Sequence, residues 1–313
     1  MKSRERVISA LTFEEFDQVP NEMDDVFIPE VSFGKGLSNG CYGKRGSHAD
    51  EWGCVFEAGE DGVKGEVKKY IINDWSILDS FIPPWDVLEN ADFSRTDRSD
   101  QNSDKFIIHM WNTDPFQRMQ YLRGTENLFI DLAYGDIQIY KLRDMIHEFY
   151  YKKVELLVNT DVDCIHLEDD WGSQKSLLIS PEMWREYFKP LYKDYCDLAH
   201  SKGKYVLMHS DGFIEEIIPD LVEIGVNAVN AQLDCMNMER LAERFHGKMA
   251  FWGGIDRQYL LPFGTEEEIR SEVRRIAEVF FKYKRTGIVA QCFLDKDSKI
   301  NNFNVVFDEW RKI

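Results

Sequence analysis

The chain has 313 residues, and its 56 acidic against 38 basic side chains give a formal net charge of −18. Such an acidic surface argues against nucleic acids, anionic membranes and other polyanions as partners, and it favours solubility. No apolar run approaches the roughly 20 residues of a membrane span. Charges occupy the positions where a signal peptide needs an apolar core, and the six cysteines form no CxxC pair. We therefore expect a cytoplasmic protein without a disulfide framework.

The first half of the chain predicts several short elements. Residues 3–12 predict an amphipathic helix. Alternating apolar residues near 52–56, a turn-rich stretch over 57–65 and a further run over 67–72 predict a β-hairpin, inserted before or around the first strand of the main sheet. Beyond it, the sequence predicts a strand at 106–111 and helices at 116–122, 125–132 and 142–159.

From residue 164 onward the order helix–glycine–strand recurs four times. Predicted strands at 164–167, 205–212, 228–231, 249–252 and 288–292 alternate with predicted helices at about 180–202, 213–224, 238–245 and 265–282. This order is typical of a parallel sheet, and the chain length favours an α/β fold of the (β/α)8 TIM-barrel class with the hairpin as an insertion. We expect one domain over residues 1–313. No glycine-rich phosphate-binding loop follows any strand, which weakens nucleotide-binding alternatives.

In a barrel of this kind the carboxyl ends of the strands meet at one mouth, where the chemistry is found. The residues at or just beyond the carboxyl ends of the predicted strands are polar or small, apart from the thiol of Cys292: Glu168, Asp169, Asp170, His209, Asp211, Asn230, Gln232, Gly253, Gly254, Asp256, Gln291 and Cys292. Their convergence carries more weight than any one of them.

A zinc site is the sharpest hypothesis for this mouth. His209, Asp211 and Cys292 supply an imidazole, a carboxylate and a thiolate, and three protein ligands with an open position form the catalytic pattern of zinc. Glu168 is a further candidate ligand. Such a centre deprotonates a bound thiol or alcohol near neutral pH, as methyl transfer to or from sulfur or oxygen requires. The alternative is a structural histidine and a buried cysteine.

Two further groups have candidate roles. Glu168, Asp169 and Asp170 are adjacent carboxylates, which are costly unless solvated, paired or bound to a cation, and together with Asp211 they are candidate catalytic acids and bases. The alternative is a helix cap and a solvated loop. The paired glycines and the acid of FWGGID (residues 251–256) permit close backbone approach, so Gly253, Gly254 and Asp256 are candidate cofactor-binding residues; the alternative is a tight turn.

Taken in order, several of these stretches resemble the uroporphyrinogen decarboxylase superfamily. They cover most of the chain: RERVISAL near the start, DEWGCVF (50–56), FQRMQYLRG (116–124), DCIHLEDDWGSQ (163–174), LISPEMWREYFKP (178–190), MHSDGFIEEIIPDLVEIGVNAVN (208–230), and FWGGID with LLPFGTEEEI (251–269). The resemblance implies a single (β/α)8 barrel. It also implies one of two chemistries, which are cofactor-free decarboxylation of uroporphyrinogen and cobalamin-dependent methyl transfer.

Two departures argue against the decarboxylase chemistry. The true decarboxylases carry an arginine-rich motif after the first helix that holds substrate carboxylates, whereas the matching residues 21–31 (NEMDDVFIPEV) contain no arginine and are acidic. They also carry a histidine near the C-terminal strand, where this chain has Gln291 and Cys292.

The thiol-directed zinc methyltransferases of the superfamily look like His-x-Cys with a second Cys roughly eighty residues on. This chain has His209-x-Asp211 and Cys292, 81 residues after Asp211. A carboxylate in place of a thiolate makes zinc a harder Lewis acid, which suits an oxygen substrate such as a methyl ether.

The resemblance therefore predicts a methyltransferase that moves a methyl group between a small methylated substrate and a corrinoid protein, with Zn²⁺ and a cobalamin carried by the partner as cofactors. A homodimer is left open. The alternatives are uroporphyrinogen decarboxylase or a related decarboxylase, and a barrel that binds a ligand without chemistry.

Overall fold

A curled sheet of seven parallel strands forms the centre of the computed structural model, which describes residues 1–29, 45–61, 65–99, 102–110, 114–294 and 297–313. In spatial order the strands are β1 (Val26–Phe27), β5 (Phe106–His109), β6 (Cys164–Glu168), β7 (Tyr205–Ser210), β8 (Ala228–Ala231), β9 (Ala250–Trp252) and β10 (Ile288–Val289). Every neighbouring pair is parallel, and from β5 onward the order in space follows the order in the sequence.

The helices cover the sheet. Most strand residues are fully buried, as the short apolar runs predict, because helices pack on one face and the interior of the curl encloses the other. The helices are α1 (Ser3–Leu11), α2 (Glu22–Asp25), α3 (Trp85–Glu89), α4 (Pro115–Arg123), α5 (Thr125–Tyr134), α6 (Ile137–Val158), α7 (Pro181–Tyr187), α8 (Lys189–Ser201), α9 (Ile218–Ile224), α10 (Met238–Phe245), α11 (Leu260–Phe263), α12 (Glu266–Phe280) and α13 (Ile300–Trp310).

The last strand meets a segment near the beginning of the sequence. Asn21 and Ala290 form a parallel bridge: the Glu22 amide donates to the Ala290 carbonyl at 2.9 Å, and the Ala290 amide donates to the Pro20 carbonyl at 2.8 Å. We call residues 20–22 and 290 the seam. The sheet has seven strands within the described ranges, one fewer than a (β/α)8 barrel, and the seam lies where β10 approaches the edge that carries β1.

A separate antiparallel sheet stands beside the parallel one. It consists of β2 (Gly46–Ala49), β3 (Val55–Ala58) and β4 (Glu66–Lys69), with β3 in the middle. Phe56 of β3 is buried, and its ring meets Tyr121 of α4 with centroids 5.0 Å apart. This contact fastens the small sheet to the helical layer.

Two predicted helices differ from those observed. The helix expected over about 180–202 is divided at Phe188 into α7 and α8, because Pro190 has no amide to donate and its ring clashes with the preceding turn. The helix expected from about 213 begins only at Ile218, immediately before Pro219, which fits the first turn of a helix. None of the described helices has the length and apolarity needed to cross a membrane.

Candidate active site

The register of the sheet brings three strand ends to one level. Glu168 of β6 lies beside His209 of β7, and His209 lies beside Asn230 of β8. Side chains alternate between the two faces of a strand, so neighbours in register share a face. These three side chains consequently lie next to one another at the carboxyl edge of the sheet.

A compact group of metal-binding side chains stands at this edge. Asp170, His209 and Asp211 each bring one ligand atom within 4.8 Å of the others. The His209 Nε2 atom is 3.7 Å from Asp170 Oδ1 and 3.7 Å from Asp211 Oδ1. The predicted pair His209 and Asp211 is thus joined by Asp170, which the sequence suggested only as an acid or base.

Asn230 orients the imidazole of His209. The Asn230 Oδ1 atom lies 2.6 Å from His209 Nδ1, and the Asn230 Nδ2 atom donates to the Trp252 carbonyl. Because that carbonyl can only accept, the amide orientation is fixed and its oxygen faces the ring. Nδ1 therefore carries the hydrogen, which in a neutral imidazole leaves a lone pair on Nε2, the arrangement seen at metal-binding histidines.

Further contacts hold the carboxylates of Asp170 and Asp211 in position. Arg257 forms an ion pair with Asp211 Oδ2, leaving Oδ1 turned toward His209. The Asp211 amide donates to Asp170 Oδ1 at 2.9 Å, which ties the loop after β6 to the loop after β7. The arrangement of the three side chains is thus supported by hydrogen bonds outside the group.

The donor set fits a divalent metal. An imidazole nitrogen and two carboxylate oxygens are ligands that zinc accepts, and ligand atoms around a tetrahedral zinc are about 3.4 Å apart. The 3.7 Å separations are close to this value. All three side chains are partly exposed, so a fourth position can face a substrate.

The three adjacent acids of DCIHLEDDW have separate environments. Asp169 is fully buried and accepts hydrogen bonds from the Phe116 amide at 3.0 Å, the Gln117 amide at 2.7 Å and the Tyr192 hydroxyl. It therefore fastens the first turn of α4 to β6. Asp170 joins the metal-binding group instead.

Glu168 points into the curl together with His166, which the sequence left without a role. The Glu168 carboxylate lies 3.7 Å from His166 Nδ1, and the rings of His166 and His209 have centroids 6.5 Å apart. Burial, with smaller contributions from His209 and nearby cations, lowers the pKa of His166 well below its usual value. The ring is consequently neutral.

The remaining predicted residues lie outside the three-residue group. Cys292 is buried after β10, and its thiol and the Glu168 carboxylate are not among the atoms within 4.8 Å; their roles as ligands stay predictions. A Cβ on Gly253 would meet Gln291 at 2.7 Å, and one on Gly254 would meet Leu233 at 2.3 Å, so neighbouring side chains fill the space beside both glycines.

Asp256, the third candidate for cofactor binding, accepts hydrogen bonds from the amides of Gln258 and Tyr259 at 2.8 and 2.9 Å. It therefore stabilises the turn before α11. A cofactor-binding role for this residue and the two glycines stays a prediction.

The sequence placed Asn230 at the mouth without giving it a role, and it missed Arg257 altogether. Asn230 lies near the end of β8, and its register with His209 was the available signal. Arg257 follows a pair of glycines in a loop, and nothing in its sequence position indicates the ion pair with Asp211.

The sequence model described as "Uroporphyrinogen decarboxylase (URO-D)" matches residues 104–311, well over half of the chain. The chain belongs to the uroporphyrinogen decarboxylase family. This confirms the resemblance inferred from the sequence motifs. The matched region contains the whole metal-binding group and six of the seven parallel strands, from β5 to β10.

Structural similarity supports the fold of this uroporphyrinogen decarboxylase family member. A solved "methyltransferase from Methanosarcina mazei" has a TM-score of 0.72 at 13% identity, over 100% of this chain and 99% of that chain. Dispersin B has a TM-score of 0.40 at 11% identity, over 99% of this chain and 93% of that chain. At 13% identity the likeness to the methyltransferase shows the fold alone. No curated protein matches the chain in sequence.

Proposed function

We propose that the protein is a methyltransferase that transfers a methyl group between a small methylated compound, such as a methyl ether, and a corrinoid protein. The observation that carries this proposal is the group formed by Asp170, His209 and Asp211 at the carboxyl edge of a parallel sheet. Polar groups gathered at this edge are where barrel enzymes perform chemistry. The full-length likeness to a methyltransferase fold is consistent with it.

We infer that Zn²⁺ is the metal of this group, with Cys292 or Glu168 as further candidate ligands. A zinc ion would supply Lewis acidity toward the oxygen or sulfur that carries or receives the methyl group. The residues of the chain have separate tasks: Asn230 holds the imidazole of His209, and Arg257 holds Asp211. Both contacts keep the ligand atoms in place before substrate binds, which is the condition for a productive site.

We further propose that the curled sheet is a complete eight-stranded barrel in which residues 20–22 take the eighth position. The two backbone hydrogen bonds of the seam support this. The corrinoid protein would then dock over the barrel mouth, where the exposed edges of Asp170 and Asp211 face outward.

The second candidate is decarboxylation of a porphyrinogen or a related acid, which the description of the family favours. A substrate with many carboxylates needs cations, and residues 21–29 contain none. We therefore place this function second.

The first test is metal content in protein prepared without chelators, followed by activity. We expect about one zinc per chain in the wild type and loss of zinc in His209→Ala and Asp211→Ala, with zinc retained in the exposed control His246→Ala. Wild-type protein is then assayed for demethylation of methyl ethers and methylamines with a cobalamin acceptor. Absence of both stoichiometric metal and turnover, or formation of coproporphyrinogen from uroporphyrinogen, would refute the proposal.

A further inference from the structure

One carboxyl group in the barrel interior is not used by the metal-binding group. Glu22 begins α2 at the seam, where its amide donates to the Ala290 carbonyl. Its side chain lies beside the indole of Trp252, the last residue of β9. The carboxyl group is therefore placed between the seam and the strand next to it.

Trp252 marks this location as the inside of the curl. Its ring centroid is 6.1 Å from that of Phe106, although β9 and β5 are not neighbours in the sheet. Trp252 is 1% exposed, and its indole lies beside the Glu22 carboxyl group.

No cation neutralises Glu22 within the described part of the chain. The other two acids of α2 have partners outside the curl, since Asp25 pairs with Arg6 and Asp24 pairs with Arg311. Strand β9 has no titratable residue, and Cys292 is the first titratable residue after β10. Burial raises the pKa of Glu22 to about 7, against a smaller lowering by Trp252. A substantial fraction of the molecules thus carries a proton on this group near pH 7.

The same level of the sheet connects Glu22 with the metal-binding group. Asn230 bonds to His209 on one side and to the carbonyl of Trp252 on the other. His209, Asn230, Trp252 and Glu22 thus follow one another across β7, β8, β9 and the seam. These contacts connect the Glu22 carboxyl group with the edge of the sheet that carries His209.

We propose that Glu22 is a catalytic acid that protonates the heteroatom from which the methyl group departs. The inference rests on the proposed methyltransferase function. In the step, the carbon–oxygen bond of a methyl ether breaks, and the methyl group joins an electron pair of the corrinoid acceptor. The oxygen keeps the bonding pair and takes the proton of Glu22, which is left as a carboxylate. The carboxylate regains its proton from water through the mouth.

The test compares two methyl ethers in wild type, Glu22→Gln and the control Asp24→Asn. In the first ether the group that departs from the methyl carbon is an ordinary alcohol or phenol, which needs a proton. In the second it is a nitrophenol, which needs little protonation. We expect Glu22→Gln to lower kcat about 10²- to 10⁴-fold for the first ether and far less for the second, since general acids contribute this much. Asp24→Asn should match wild type with both.

Two further readouts do not depend on the size of the loss. In wild type, kcat for the ordinary ether should fall as pH rises through about 7. In Glu22→Gln, kcat should not show this decrease. Difference infrared spectra of wild type against Glu22→Gln should show a protonated carboxyl group that titrates near the same pH.

The outcomes separate the two proposals. Equal losses for both ethers, an unchanged pH profile, or a carboxyl group ionised well below neutrality would overturn the role of Glu22 while leaving methyl transfer intact. Failure of the wild type on every methyl compound overturns the proposed function and the role of Glu22 with it.

Discussion

Gly172 and Gly212 lie backbone against backbone at the mouth of the sheet. A Cβ on Gly212 would stand 2.2 Å from the Gly172 carbonyl oxygen, and a Cβ on Gly172 would stand 2.4 Å from the Phe213 amide nitrogen. The Gly172 amide also donates to the Asp211 carbonyl at 3.2 Å. The loops that carry Asp170 and Asp211 are therefore locked together by contacts that only glycine permits.

Gly212→Ala should destabilise the protein and move the side chains of the metal-binding group apart. Gly212 has φ of +78° and no room for a methyl group. Gly203→Ala is a matched control, because φ is +68° there and nothing lies within 4 Å of its Cβ position. We expect a loss of about 1–2 kcal/mol in unfolding free energy for the control, from backbone strain alone. Gly212→Ala should lose more in denaturant unfolding and also lose zinc; equal losses would contradict the close contact.

Asp169→Asn should lower stability and Asp170→Asn should lower zinc affinity, although the two residues are adjacent. Asp169 accepts three hydrogen bonds, so Asn places an NH₂ group against a donor and should cost about 1–3 kcal/mol of unfolding free energy. In Asp170→Asn the oxygen that accepts the Asp211 amide is retained, so stability should change little while zinc affinity falls. Thermal unfolding of the metal-free proteins and zinc titration measure both effects. If Asp170→Asn lowered stability and Asp169→Asn did not, the structural role would belong to Asp170 and not to Asp169.

Asn230→Ala should weaken zinc binding without touching a ligand. The substitution removes the acceptor that orients His209, and loss of such a partner typically lowers metal affinity about 10- to 100-fold. Asn237→Ala serves as control, because Asn237 caps α10 and should cost about 1 kcal/mol of stability with no effect on zinc. Competition with a chelator measures the affinities. Equal affinities in the two variants would exclude a role for Asn230 in holding the ring.

Lys153→Met should remove part of the pH dependence of stability. Burial, which outweighs nearby carboxylates, lowers the pKa of Lys153 to about 7 from an ordinary value near 10.5. Between these values the unfolded chain binds more protons, so the free energy of unfolding rises with pH. The rise attributable to Lys153 should be about 3 kcal/mol between pH 7 and 9.5.

Denaturant unfolding of the metal-free protein at several pH values measures this slope. Lys152→Met is the control, because the Lys152 side chain is 54% exposed. Wild type and Lys152→Met should share the slope, and Lys153→Met should lack it. A slope that survives in Lys153→Met would show that the amine remains charged in the folded protein.

The strands and their order were predictable because helix, glycine and strand recur in the second half of the sequence. That order alone brings His209 and Asn230 together, since both lie near the carboxyl ends of neighbouring parallel strands. Which of three consecutive acids meets His209 was not predictable, because it depends on how the loop turns after β6: Asp169 rotates toward α4 and Asp170 toward the mouth. The position of Glu22 depends on a backbone pairing across most of the sequence, which no local pattern reveals.

The seam has a consequence for how the protein reaches its working form. Several contacts join the same two regions: the Lys284 ammonium donates to the Phe13 carbonyl, 271 positions away, and Arg311 pairs with Asp24. Contacts so distant in sequence carry a large loop-closure cost and form late in folding. A nascent chain on the ribosome therefore keeps this edge open until residue 290 has been synthesised. Glu22 acquires its surroundings only then, so catalytic competence should arrive with the final closure rather than accumulate strand by strand.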